Sequence, residues 1–315
     1  MASFTKRFKD WVTLLKKTFQ QFNSREPFNN SIVIAYYTIF SLPGLLVIVI
    51  NVAGYFYDKK KVTTQITSQI EALMGGDTAK DIESIVAKAS EIKGNVISSI
   101  LGIATLLFGA TGVFYQLQQI LNKIWDVKPK IKTKQKILEL IKDRFFSFGV
   151  ILAVGFLLLV SLVLSSALAV ASTWVSAYFS QSLMVLFGFL DLIFSVGVVT
   201  LLFASIYKFL PDVKIRWRDV WGGAIMTAVL FTIAKFGLGL YFGKSDPASA
   251  YGAAGSIILI MLWVSYAGLI LLFGAEFTNV RTINAEKKRA SEKPAASQSG
   301  LSVSPLESKL SDNPS

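Results

Sequence analysis

Long stretches of this chain carry no charge, and the charged residues crowd into the segments between them. A helix needs about 20 apolar residues to cross about 30 Å of hydrocarbon, so each charge-free run can be measured against that length. The first run, Pro27 to Tyr57, contains SIVIAYYTIFSLPGLLVIVINVAGYFY and is closed by Asp58 and three lysines. It predicts a transmembrane helix over 32–57, kinked at Pro43 and Gly44. The second run, between Lys93 and Lys123, predicts a helix over 95–120 whose polar end, QLQQILNKIW, sets Trp125 at headgroup level. The third run, Phe145 to Leu190, holds 46 uncharged residues. That is too many for one crossing, and it reads as helices over 147–171 and 183–209 joined through STWVSAYFSQS, with Pro211 stopping the second. Helices over 220–242 and 256–275 complete an all-α integral membrane bundle of six transmembrane helices.

The remaining segments have patterns of their own. In residues 1–30, Phe4, Phe8, Trp11, Leu15, Phe19 and Phe22 recur every three or four positions with lysines on other faces, which predicts an amphipathic helix lying on the inner membrane surface. No continuous apolar core of a secretory leader precedes residue 31, so the first span is expected to be retained. The loop 58–93 shows Val62, Ile66, Ile70 and Leu73, a Gly75-Gly76 break with Asp77 as a cap, then Ile82, Ile85, Ala89 and Ile92. This is the pattern of a helical hairpin capping the outer mouth of the bundle. The tail 286–315 is rich in Ser, Pro, Lys and Glu and is expected to be disordered on the cytoplasmic side.

Charge fixes the orientation of the six spans. With the N-terminus inside, the inner segments hold 24 of the 32 Lys and Arg residues and the outer loops hold 7, Lys235 lying within a span. The positive-inside rule therefore places both termini in the cytoplasm. The net charge of +12 is then a property of the inner rim, where KIWDVKPKIKTKQK meets anionic lipid headgroups rather than nucleic acid. Composition agrees, at 53% hydrophobic and 17% charged, where soluble domains carry about a quarter charged residues. The chain has no Cys and no His, which removes disulfides, thiol and imidazole catalysis and the usual soft metal ligands. No G-x-x-x-x-G-K-[ST] phosphate loop occurs either. The reading is of a protein that is no enzyme, with no cofactor and no metal.

Four stretches together resemble the YihY/virulence factor BrkB family of membrane proteins, once labelled ribonuclease BN. They are AYYTIFSLPGLL, LQQILNKIWDV, YKFLPDVKIRWRDVWGGA and YGAAGSIILIMLWVSYAGLILLFGAEFT, and the likeness spans roughly residues 20 to 285. Where family members often read S-L-x-P, this chain has Ser41-Leu42-Pro43-Gly44, the proline one residue earlier. The resemblance implies a six-helix bacterial inner-membrane protein and brings no catalytic motif. Ribonuclease chemistry has little support in the residues, because Asp126, Glu139, Asp143, Asp212 and Asp219 are scattered among cations and read as ordinary loop charges.

Candidate functional residues are those that a bilayer penalises. Asp191 and Lys235 are ionisable residues inside spans, about 12 Å and about 10 Å from the same side, and their opposite charges predict an intramembrane ion pair. It reads as a static lock between neighbouring helices, as a lysine that only snorkels outward, or as the lining of a polar cavity that contacts a solute. Glu276 closes the last span, and reads either as bonded to the inner loops or Arg281 or as simply exposed at the surface. Gln116, Gln118, Gln119 and Asn122 form a polar cluster at the inner end of the second span, and glycines such as Gly222, Gly223 and Gly274 permit close helix approach. These features point to a transporter or lipid-handling protein of unknown substrate, with a non-transporting envelope scaffold as the alternative.

Overall fold

The computed structural model describes residues 2–56, 58–74, 76–90, 112–127, 181–245 and 254–292, and every regular element among them is a helix. In chain order these are α1 (Ala2–Ser24), α2 (Pro27–Phe56), α3 (Lys59–Met74), α4 (Gly76–Ser90), α5 (112–124), α6 (Gln181–Phe209), α7 (Trp217–Ser245) and α8 (Gly255–Glu292). Residues 95–111 of the expected 95–120 span, all of the expected 147–171 span, the turn that follows it and most of the basic loop lie outside the described residues. Among the described residues three helices are long and apolar enough to cross a membrane: Leu192–Phe209, Trp217–Tyr241 and Gly255–Lys287.

Helices extend beyond the spans read from sequence. α2 starts at Pro27, five residues before the expected span, with proline at the first helical position where its missing N–H costs nothing. α8 continues to Glu292, into the segment expected to be a disordered tail from residue 286. The apolar run marks where lipid ends, whereas the helix ends only where backbone bonding does. Past residue 275, EFTNVRTINAEKKRAS supplies good helix formers and no Gly or Pro. α2 is one helical element through Pro43 and Gly44; the side chains around that expected kink lie outside the described ones.

α3 and α4 form the expected hairpin. Asp58 caps α3, its carboxylate accepting the Lys60 and Lys61 amides at 2.8 and 3.4 Å. Val62 of α3 and Ile82 of α4 are buried with Leu46 and Ile50 from the second half of α2 and Ile260 from the first half of α8. The hairpin therefore covers one end of the bundle. The larger core lies toward the other end, where Leu117, Leu121, Phe203, Tyr207, Ala224 and Leu272 join α5, α6, α7 and α8.

α1 packs at that second end, against the middle of α8. Trp11 lies 5.8 Å from Phe277 and Phe22 meets Phe273 edge-on at 5.4 Å, between ring centroids, while Thr18 is fully buried. Phe8, Val12 and Phe19 stay exposed. Sequence alone gave α1 one apolar face toward lipid; half of that face belongs to α8.

Candidate functional site

Polar side chains gather where α1, the end of α5, the 210–216 link and the second half of α8 meet, the α1 end of the bundle. At its centre is Glu276, whose side chain is 1% exposed. Arg25, in the short link between α1 and α2, brings Nε to 2.8 Å from Glu276 Oε1. This is an ion contact without an aligned hydrogen bond, and Oε2 has no donor among the described residues. The rest of the guanidinium serves α5: Nη1 donates to the Lys123 carbonyl and, at 3.2 Å, to Asp126 Oδ1, and Nη2 donates to Asp126 Oδ2 at 3.1 Å. One cation thus stands between a buried and an exposed carboxylate, Asp126 being 76% exposed. Desolvating a carboxylate costs several kcal/mol unless an opposite charge or donors replace water, and Arg25 offsets part of that cost.

Two described residues other than glycine have positive φ, Glu26 and Asp126, both at 52°, and both border this clamp. Asp126 ends α5: its own N–H and that of Val127 donate back to Lys123 and Asn122 carbonyls at 3.3 and 2.9 Å, a left-handed C-terminal cap. The cap turns the Asp126 carboxylate onto Arg25. Glu26 turns the chain so that Arg25 leaves α1 facing the bundle, and Asn30 donates to the Arg25 carbonyl at 2.7 Å.

The end of α5 is bound on its other sides too. Asn279 of α8 donates to the Ile124 carbonyl at 2.8 Å. Asn122 donates to Asp212 Oδ2 and accepts the Asp212 amide, both at 2.8 Å, and Gln118 donates to Asp212 Oδ1 at 3.3 Å. Asp219, 3% exposed in the first turn of α7, accepts from Arg216 Nε and Nη2 at 3.1 and 2.9 Å. Lys208 donates to the Ile215 carbonyl and lies 5.7 Å from the Trp217 ring centroid. Asp126, Asp212 and Asp219, read from sequence as ordinary loop charges, are each tied to a specific partner. Among the described residues no three carboxylates approach closely enough to share a metal ion.

Beside this hub α7 and α8 interlock through two Gly-x-x-x-Thr units, Gly223 with Thr227 and Gly274 with Thr278. A Cβ on Gly223 would lie 1.7 Å from Thr278 Oγ1, and one on Gly274 would lie 1.7 Å from Thr227 Oγ1. Each threonine donates to the glycine carbonyl four residues earlier on its own helix, at 2.8 Å. Tyr207 of α6 closes the seam, its hydroxyl donating to the Leu271 carbonyl at 2.8 Å and lying 2.9 Å from Thr227 Oγ1. In lipid, where apolar surface gives helices little reason to associate, such small-residue contacts hold a bundle together.

The residues singled out from sequence divide accordingly. Asn122 and Glu276 belong to the hub, with Gln118 rather than Gln116 or Gln119 as the glutamine that reaches Asp212. Arg281 is not the partner of Glu276; it lies across Gly222, where an added Cβ would sit 1.3 Å from its Nη1. Lys235 lies elsewhere, lining a shallow hollow between α7 and α8 with Phe231, Trp263 and Ile270, and no described carboxylate pairs with it. Asp191 is in α6, but its side chain lies outside those described, so the expected pair falls there as well. Sequence reasoning missed Arg25, although a buried acid closing an apolar run demands a cation and this one lies two residues before the proline that starts α2.

The hub unites three of the four stretches that carry the family likeness, and comparison with known proteins bears on it. The family described as Virulence factor BrkB matches residues 18–299. A UPF0761 membrane protein of Alteromonas mediterranea is 26% identical over 83% of this chain and 85% of its own length. A UPF0761 membrane protein of Tolumonas auensis is 30% identical over 60% of this chain and 62% of its own length. Another, of Delftia acidovorans, is 26% identical over 62% of this chain, which spans less than half (43%) of that relative. No solved structure matches.

Proposed function

From the premise that the chain belongs to the Virulence factor BrkB family of membrane proteins, we propose that it is a six-span inner-membrane transporter or lipid-handling protein whose hub at the α1 end is a closed cytoplasmic gate. The single observation that carries the reading is the buried Glu276 carboxylate clamped by Arg25 where the helix ends converge. The excess of Lys and Arg in the segments on that side supports a cytoplasmic orientation of this end and of both termini. The expected ion pair of Asp191 and Lys235 belongs to the same proposal, near the opposite face. No catalytic step is part of it.

A gate must be held shut by contacts that can be exchanged rather than by a continuous dry core. Parting the helices here requires Arg25 to leave Glu276 and Asp126, Asn279 to leave the Ile124 carbonyl, and Asn122 to leave Asp212. Each group released is polar, so water or a solute can take the vacated place. That keeps open and closed states close in energy, as gating demands. The Lys and Arg excess of the segments on this side, beyond the carboxylates paired within the hub, favours an anionic or amphipathic solute.

The test is reconstitution of the purified protein into sealed liposomes, with flux and lipid flipping followed across a panel of anionic and amphipathic compounds. Accelerated movement of a subset supports the reading. Silence with every compound, beside a specific co-purifying protein, would favour a non-transporting envelope scaffold instead.

A further inference from the structure

α1 has an apolar arc that the fold only half uses. At about 100° per residue, Thr18, Trp11, Phe22 and Leu15 follow one another around the helix, then Phe8, Phe19 and Val12, then Lys16 and Lys9. The first group turns to α8, through the ring contacts of Trp11 and Phe22 and the fully buried Thr18, although Trp11, at the border, is still 53% exposed. The second group is uncovered, with Phe8 64%, Phe19 62% and Val12 50% exposed. Lys9 and Lys16, both exposed, edge the strip on the side away from α8.

We propose that this strip docks into the headgroup region of an anionic lipid surface, and that the docking holds Arg25 in its clamp on Glu276. The strip lies between a helix long and apolar enough to span and a row of lysines, the arrangement in which aromatic rings dip below the headgroups while ammonium groups remain among the phosphates. The occupant is an anionic phospholipid bilayer because the charges that edge the strip, Lys9 and Lys16, are both positive, while Lys17 and the single acid of α1, Asp10, lie further round. Arg25 directly follows α1, separated from its last residue by no linker. Lifting α1 from the membrane therefore pulls on the guanidinium that neutralises Glu276. The second half of this proposal rests on the gate reading; the first does not.

The absence of native cysteine allows single-site labelling of the full chain. A nitroxide on Val12→Cys is examined in vesicles of phosphatidylcholine with and without phosphatidylglycerol, by comparing its accessibility to oxygen and to a water-soluble nickel chelate. A separate Asn279→Cys protein is titrated with a membrane-impermeant maleimide. Docking predicts a label accessible to oxygen and shielded from nickel when phosphatidylglycerol is present. Each change of Lys9 or Lys16 to Gln weakens that preference roughly fivefold. The coupling predicts slower maleimide reaction at position 279 in the same vesicles. A label that remains in water in both compositions overturns the proposal. A label that inserts while position 279 reacts equally fast in both overturns the link to Arg25. Failure of the gate reading is a separate observation, unchanged flux when the clamp is removed.

Discussion

Replacing Arg25 with Gln removes the charge that balances a carboxylate 1% exposed to solvent, and the consequences follow from how the guanidinium is shared. Asp126 loses little, since it is 76% exposed and exposed pairs are worth about 0–1 kcal/mol. Glu276 loses its cation while staying buried, and removing one partner of a buried pair typically costs about 3–5 kcal/mol. Because Arg25 is itself 20% exposed, water can enter, and the lower end, about 3 kcal/mol, is expected. Glu276→Gln should cost about 1 kcal/mol, because Arg25 keeps Asp126 and the Lys123 carbonyl. The double variant buries no unpaired charge, so it should be more stable than Arg25→Gln alone. The four proteins form a thermodynamic cycle, measured by reversible unfolding in mixed micelles with rising dodecyl sulfate. A coupling of about 2 kcal/mol is expected. Effects that add within about 0.5 kcal/mol would mean that the two residues do not share a site, and the clamp would be refuted.

Three further outcomes follow. Gly274→Ala should destabilise the protein by about 1–3 kcal/mol through overpacking, since its Cβ would meet Thr227 Oγ1 at 1.7 Å; Thr227→Ala in the same chain should recover part of this in the same unfolding assay, and no recovery would contradict the interlock. Asp191→Asn and Lys235→Met should each impair stability or flux, with the double change partly restoring it, whereas additive losses would refute pairing. Tags at Met1 and Ser315 should be unreachable from outside intact cells and reachable after permeabilisation; labelling of either in intact cells would overturn the orientation.

Among the described residues the long helices were legible because an uncharged run long enough to cross a bilayer has few other uses, and α6 begins at Gln181 and ends at Phe209, close to the 183–209 read from sequence. The ends of α2, α7 and α8 were less legible. Asp219 sits in the first turn of α7, where its charge suits the helix dipole and Arg216 holds it, yet a hydropathy reading stops at the last apolar residue. The hub was legible only in fragments. Glu276 and Asn122 stood out as polar residues at span ends, but Arg25 lies at the other end of the sequence and looks like any interfacial arginine. The choice among Gln116, Gln118 and Gln119 depends on which side of α5 meets the 210–216 link, and helical period alone does not say. The apolar arc of α1 was visible as one face; its division between α8 and solvent needed the position of a second helix.

The gate is tested most directly by comparing the wild-type protein with the Arg25→Gln, Glu276→Gln double variant, which should stay folded without its clamp. Both are reconstituted into sealed liposomes holding an anionic, amphipathic dye, and dye efflux is timed. Faster efflux through the double variant than through the wild type, with protein-free vesicles tight, is the expected result. Equal efflux from the two proteins, with the double variant shown to be folded, would mean that the Arg25–Glu276 contact fastens the bundle and gates nothing.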